Sequence, residues 1–213
     1  MKKQLLSLAL LSAAWLAGGS AWAQHSGDHS YTNGICTIEG CTDKYQAPAL
    51  VDGWYQLTNA GNVEWIGDYV QNTAVDPKVK MMNDIDFTDV SFRMIGRNSG
   101  RKFNGVFDGQ GHRITNLVLN YGSNDTPTAI GFFAWVRGGS TIKNVIMDKT
   151  CYFEGKVRVA AFVGVTQVAS AGAVRIENCV NEANVKGHTG ATGGFIGCRN
   201  PDNQDTPQAI VTG

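Results

Sequence analysis

One short pattern recurs three times in this chain and narrows its fold more than any other feature. Ile114-Thr115-Asn116-Leu117 is answered by Ile142-Lys143-Asn144-Val145 and by Ile176-Glu177-Asn178-Cys179. The spacings are 28 residues (114 to 142) and 34 residues (142 to 176). A second pattern keeps step with it: Ile130-Gly131-Phe132-Phe133, Ala160-Ala161-Phe162-Val163 and Gly193-Gly194-Phe195-Ile196. Two patterns that hold their order at similar periods indicate a repeat architecture. From Val79 onward, Val79, Met81, Asn83, Ile85 and Phe87 share one parity, and short strands then alternate with Gly/Asn/Asp/Ser turns. No helical pattern separates them. This predicts an all-β parallel β-helix of about four coils, each strand pairing with its equivalent in the next coil about 4.8 Å away. Ile114, Ile142 and Ile176 are expected to form one interior column, and Phe132, Phe162 and Phe195 another. Asparagine tolerates left-handed backbone, so Asn116, Asn144 and Asn178 can bend the strand and stack as an amide ladder. Leu117, Val145 and Cys179 then resume the inward pattern. An antiparallel sandwich is the competing reading.

The segments before the repeat differ in kind. Residues 1–23 read as a secretory leader: Lys2 and Lys3, an apolar run from Leu5 to Ala17, then Ala21-Trp22-Ala23 as a cleavage site. The run is too short to span a membrane. Residues 24–50 are polar and read as an exposed segment carrying a cysteine pair. Residues 51–78 hold a strand, Gly53 to Leu57, and a helix from about Ala60 to Gln71, capped by Thr58 or Asn59. Val63, Ile66 and Val70 supply its apolar face, and Gly61 weakens it. An open coil is an exposed strand edge, so the helix is expected to cap the solenoid assigned to 79–213. At the far end, Gln204–Gly213 is either part of a further coil in a longer protein or an irregular lid.

Eighteen basic and eighteen acidic residues balance to a net charge of 0. No electrostatic footprint for nucleic acid or an anionic membrane follows from that balance. The five cysteines are Cys36, Cys41, Cys151, Cys179 and Cys198. Export favours a Cys36–Cys41 disulfide, with free thiols next and a zinc set of His25, His29, Cys36 and Cys41 last. Cys179, Cys151 and Cys198 read as small buried hydrophobes.

Asn83-Asp84-Ile85-Asp86-Phe87, Met94-Ile95-Gly96 and Phe103–Leu117 (FNGVFDGQGHRITNL) together resemble bacterial secreted and surface proteins with GLUG-type repeats. Thr192–Gly197 resembles the glycine-hydrophobic half of that repeat, which Ile130–Trp135 and Ala160–Val165 follow more loosely. The resemblance spans about Val51 to Cys198. It implies a right-handed parallel β-helix and an adhesin-like or stalk role. The family motif carries no catalytic residues, so none is transferred.

Asp84, Asp86 and Asp108 are the eye-catching carboxylates. β-helix polysaccharide enzymes use paired carboxylates, or calcium with a basic residue, on one face. Here a solvated strand surface and an Asp-Gly turn are the leading readings. His112 and His188 read as exposed turn residues, and Gly187-His188-Thr189-Gly190 only approximates a Gly-His-Gly motif. No nucleotide, serine-nucleophile or metalloprotease motif is present. Trp135 and Tyr121 are the candidate sugar-stacking residues. The expectation is a non-catalytic, secreted or cell-surface scaffold binding glycans or extracellular proteins, without catalytic, metal or cofactor sites. A carbohydrate-active β-helix enzyme and a stalk of a longer protein are the alternatives.

Overall fold

The computed structural model describes residues 27–73, 76–167, 172–200 and 209–213. The expected leader and His25 lie outside them. Strands β1 (Tyr31–Thr32) and β2 (Ile35–Cys36) form an antiparallel hairpin, and β3 (Ala49–Val51) and β4 (Trp54–Leu57) a second. Helix α1 spans Ala60–Asn72, after which β5 (Lys78–Met81) and β6 (Ile85–Asp86) open the solenoid. Each of the next three coils contributes four strands. These are β7 to β10 (Val106–Asp108, Arg113–Thr115, Val118–Asn120, Phe133–Arg137), then β11 to β14 (Thr141–Lys143, Ile146–Met147, Tyr152–Gly155, Val163–Gln167). The third set is β15 to β18 (Val174–Glu177, Val180–Asn181, Asn184–Gly187, Ile196–Asn200). Strand β19 (Ala209–Thr212) lies on β15 as the first strand of a further layer.

The coils stack into four faces. Face I runs β3-β4-β5-β7-β11-β15-β19, face II β6-β8-β12-β16, face III β9-β13-β17 and face IV β10-β14-β18. Every pairing along the stack beyond β3–β4 is parallel, so the chain is an all-β parallel β-solenoid of about four coils with one N-terminal helix. Alternation drives every second side chain inward. Val79, Phe107, Ile142 and Ile176 stand in register on face I and are fully buried. Phe162 stacks on Phe195 at 5.2 Å, as the phenylalanine column requires, and Phe132 stacks on Phe92 at 5.2 Å.

The expected isoleucine column is corrected by the register. Ile142 does pair with Ile176, but Ile114 pairs with Ile85 and Met147 on face II. From Phe107 to Ile114 the chain advances seven positions, and from Ile142 to Met147 only five. The extra residues sit at the Asp108–His112 corner, where Gln110 and Gly111 both take positive φ (51° and 83°). Asn116 (φ 55°) therefore bends the next corner, while Asn144 (55°) and Asn178 (51°) bend the first. The same left-handed bend occurs at two corners, and the motif alone does not tell them apart. Asn83 also leaves its expected column and is exposed, donating to the Thr58 carbonyl at 3.1 Å.

Helix α1 covers the starting end of the stack. Asn59 caps it, accepting from the Asn62 amide at 2.8 Å. Ala60, Val63, Ile66 and Val70 bury its apolar face. Glu64, 1% exposed, accepts from the Arg93 amide (2.8 Å) and guanidinium (2.9 Å). Arg93 also reaches Asp68 at 2.9 Å and lies 4.7 Å over the Tyr45 ring. One side chain thus ties the N-terminal segment, the helix and the first coil together. Burial pushes the Glu64 carboxyl above its ordinary value even so.

No helix among the described residues is long and apolar enough to cross a membrane.

Candidate functional site

The first candidate surface is the outside of face II. Inward pointing of Ile85, Ile114 and Met147 leaves Arg113, Ile146 and Val180 pointing outward in register. Val180 is 45% exposed and Ile146 half-buried. On one side of this strip runs the corner ladder. Asn144 Nδ2 donates to Asp108 Oδ1 at 2.9 Å, and Asn178 Nδ2 to Asn144 Oδ1 at 3.4 Å. The open groove here has a volume of about 550 Å³ and is lined by Asp108, Gln110, Asn144, Ile146, Asn178 and Val180 among others. On the other side Arg113 bridges Asp148 and Glu182, both at 2.8 Å, beside a second open depression of about 500 Å³.

The expected carboxylates all face this surface, yet each serves a corner. Asp84 Oδ1 accepts from the Arg113 amide at 2.9 Å and faces His112 Nδ1 at 3.2 Å. Asp86 Oδ1 accepts from Asn116 Nδ2 at 2.8 Å, from the Thr88 amide at 2.9 Å and from the Thr88 hydroxyl at 2.8 Å. The Asn116 bond, followed by the Thr88 amide, holds Asp86 below its ordinary pKa. Burial pushes Asp108 up, but the bonds from Asn144, the Gln110 amide and Lys143 outweigh it and leave it lowered. Asp148 is lowered by the Thr150 amide and hydroxyl. A general acid needs the opposite shift, toward a proton retained near neutrality.

A second cluster lies on face III and escaped the sequence reading. Glu154 points outward from β13 yet is largely covered. It accepts from the Tyr152 hydroxyl (2.5 Å) and faces His188 Nε2 (2.7 Å) and Lys186 Nζ (2.9 Å). The Tyr152 bond first, then Lys186 and His188, bring Glu154 down to about 2. The matching parity of Tyr152 with Glu154, and of Lys186 with His188 one coil later, was the available signal. His188 is thus a carboxylate partner, as is His112, and neither is a bare turn residue.

The third cluster is at the N-terminal knuckle. The Asn33-Gly34 turn between β1 and β2 presses onto the start of α1. Gly61 N donates to the Asn33 carbonyl at 2.9 Å, and Ala60 N to Asn33 Oδ1 at 3.2 Å. A Cβ on Gly61 would lie 1.9 Å from the Gly34 carbonyl oxygen, which explains a glycine inside the helix. This docking brings His29, Cys36 and Cys41 together, with their ligating atoms within 4.8 Å of one another. His29 Nδ1 is 3.1 Å from Cys41 Sγ and 3.9 Å from Cys36 Sγ, and His29 Nε2 is 3.3 Å from Asp43. Cys36 and Cys41 are free thiols in this structure. Burial opposes ionisation of Cys36, but bonds from Cys41, the Ile38 backbone and His29 bring it down to about 7, while burial raises Cys41.

The two stacking candidates differ in exposure. Trp135 is 9% exposed and belongs to the core, because its strand β10 is covered on both sides. Tyr121 is half-buried against the core, and burial raises its hydroxyl pKa. Cys151 is fully buried and Cys179 partly so, and burial pushes both thiols up to about 11. Comparison with protein-family models, with curated proteins and with solved structures finds no match.

Proposed function

We propose that this chain is an exported, non-catalytic β-solenoid that binds glycans on the outside of face II, in an adhesin-like role. Export follows from the leader read at residues 1–23, and the adhesin-like role from the GLUG-type resemblance. The observation that carries the binding reading is the outward strip of Ile146 and Val180 between the Asp108–Asn144–Asn178 ladder and the Arg113–Asp148–Glu182 triad. An apolar strip flanked by fixed amides and charges suits a sugar ring, whose C–H face packs while its hydroxyls hydrogen-bond. The groove is open along the stack, as an extended polymer requires. Carboxylates held ionised by corner partners favour recognition over acid–base chemistry.

A glycan array probed with the labelled chain tests this. Wild type is expected to retain a glycan class, and Ile146→Asp with Val180→Asp to lose at least about tenfold in affinity, or ~1.4 kcal/mol. Binding only to immobilised extracellular proteins, unmoved by those substitutions, removes the glycan reading. Cleavage of a polyuronide that is lost in Asp86→Ala establishes the enzyme reading instead.

A further inference from the structure

We propose that His29, Cys36 and Cys41 bind one zinc ion, which clips the N-terminal knuckle shut against α1. The site is independent of face II. Its donors come from three places along a short stretch: His29 before β1, Cys36 at the end of β2, and Cys41 in the turn beyond. In tetrahedral zinc geometry, bonds of about 2.05 Å to nitrogen and 2.3 Å to sulfur put the two donors about 3.6 Å apart. The observed Nδ1–Sγ distances of 3.1 and 3.9 Å bracket that value. Nδ1 is therefore the ligating nitrogen.

The imidazole is already oriented for this. Asp43 faces Nε2 at 3.3 Å, on the far side of the ring from the thiols. A carboxylate there accepts a hydrogen bond from Nε2–H and so favours the tautomer whose Nδ1 lone pair points toward the sulfurs, the arrangement that supports histidine ligands in metal sites. Asp43 is a positioning residue, since a metal bound at Nδ1 is out of its reach in this geometry. The backbone is equally fixed. Cys36 N donates to the Lys44 carbonyl at 2.9 Å, Thr37 N to Ser30 at 2.9 Å and Gln46 N to Gly34 at 2.8 Å. These bonds hold both ends of the loop while the Asn33-Gly34 turn is pinned to the helix.

The charge balances. Zinc replaces the two thiol protons, which leave to solvent, so two thiolates and one neutral imidazole around a dication give a neutral site. Soft thiolates with one imidazole suit zinc better than calcium or magnesium, which take oxygen. Three protein ligands leave a fourth position, and the half-exposed surroundings let water fill it. A Cys36–Cys41 disulfide uses the same two sulfurs, so oxidation and zinc binding exclude each other.

The full chain, reduced and stripped of metal, is titrated with Co²⁺ and then with Zn²⁺. The expected result is one thiolate-to-cobalt charge-transfer signal at one equivalent, displaced by Zn²⁺. Cys36→Ser and Cys41→Ser remove the signal, and His29→Ala removes or strongly weakens it. Asp43→Asn weakens affinity roughly 10–100-fold while the far-ultraviolet spectrum stays that of the wild type. Amides of Thr37 and Gln46 gain exchange protection only with Zn²⁺ bound. No cobalt signal in the reduced chain overturns the proposal, as does binding that survives both serine variants. So does a chain recovered from zinc-supplied cells with the sulfurs joined and no zinc.

Discussion

The solenoid and the N-terminal knuckle are held by opposite means. In the solenoid each coil templates the next: Phe107 sits between Val79 and Ile142, and the Asp108–Asn144–Asn178 ladder repeats the step at the corner. In the knuckle the two strands are two residues each. Its order comes from single contacts: Asn33 Oδ1 accepting from the Ala60 amide, the Gly34–Gly61 approach, Tyr45 beneath Arg93, and the imidazole beside two thiols. Repetition spreads stability over many equivalent contacts, whereas the knuckle concentrates it in a few. Damage to one coil is therefore expected to be global, and damage at one knuckle contact local.

The largest effect is expected in the column. Phe107 is fully buried with its ring centroid 5.6 Å from Phe132 and 5.4 Å from Phe133. Phe107→Ala should lower unfolding free energy by about 3–5 kcal/mol in urea titration. A loss below about 1 kcal/mol contradicts templating. Next comes the knuckle. Gly61→Ala adds a Cβ against the Gly34 carbonyl but improves helix propensity by about 1 kcal/mol. The solenoid's unfolding free energy should change by no more than that amount, while the amides of Thr37 and Gln46 exchange faster. Retained protection at those amides, or collapse of the whole fold, breaks the distinction.

The mildest perturbation is pH. Glu154 is lowered to about 2 from 4.5, and Asp86, Asp108 and Asp148 are lowered too. Depressed carboxylates contribute stability that is present above their unfolded values and is lost as pH falls through the folded ones. The thermal midpoint should fall below about pH 4.5, with the raised Glu64 carboxyl alone adding stability as pH drops and so working against that fall. Glu154→Gln should reduce that slope, and an unchanged slope excludes the Tyr152–Lys186–His188 cluster as a contributor.

Much of this architecture was legible because repetition shows itself twice, once in sequence and once in space. The helix start at Ala60, the phenylalanine stack and the parallel solenoid all follow from local pattern. Register was harder. Ile114-Thr115-Asn116 looks like Ile142-Lys143-Asn144 because both end in a left-handed asparagine, yet two added residues at the Asp108–His112 corner carry Ile114 to another face. Trp135 shares the parity of Phe133, which packs against Phe107, and it too is in the core, 9% exposed. His29, Cys36 and Cys41 were already visible in sequence as a zinc set, ranked below a disulfide and free thiols, but that they converge depends on docking to the helix, and the Glu154 cluster depends on neighbours one coil away.

The coil geometry also bears on what this chain is for in mechanical terms. The 34 residues from Ile142 to Ile176 would reach about 110 Å if extended. Wound into one coil they advance the stack by about 4.8 Å. Each added coil contributes lateral area and another copy of the same outward rows, with almost no gain in distance. The solenoid gains little distance and much lateral surface per residue, and its length sets how many rungs of the same outward rows one face carries.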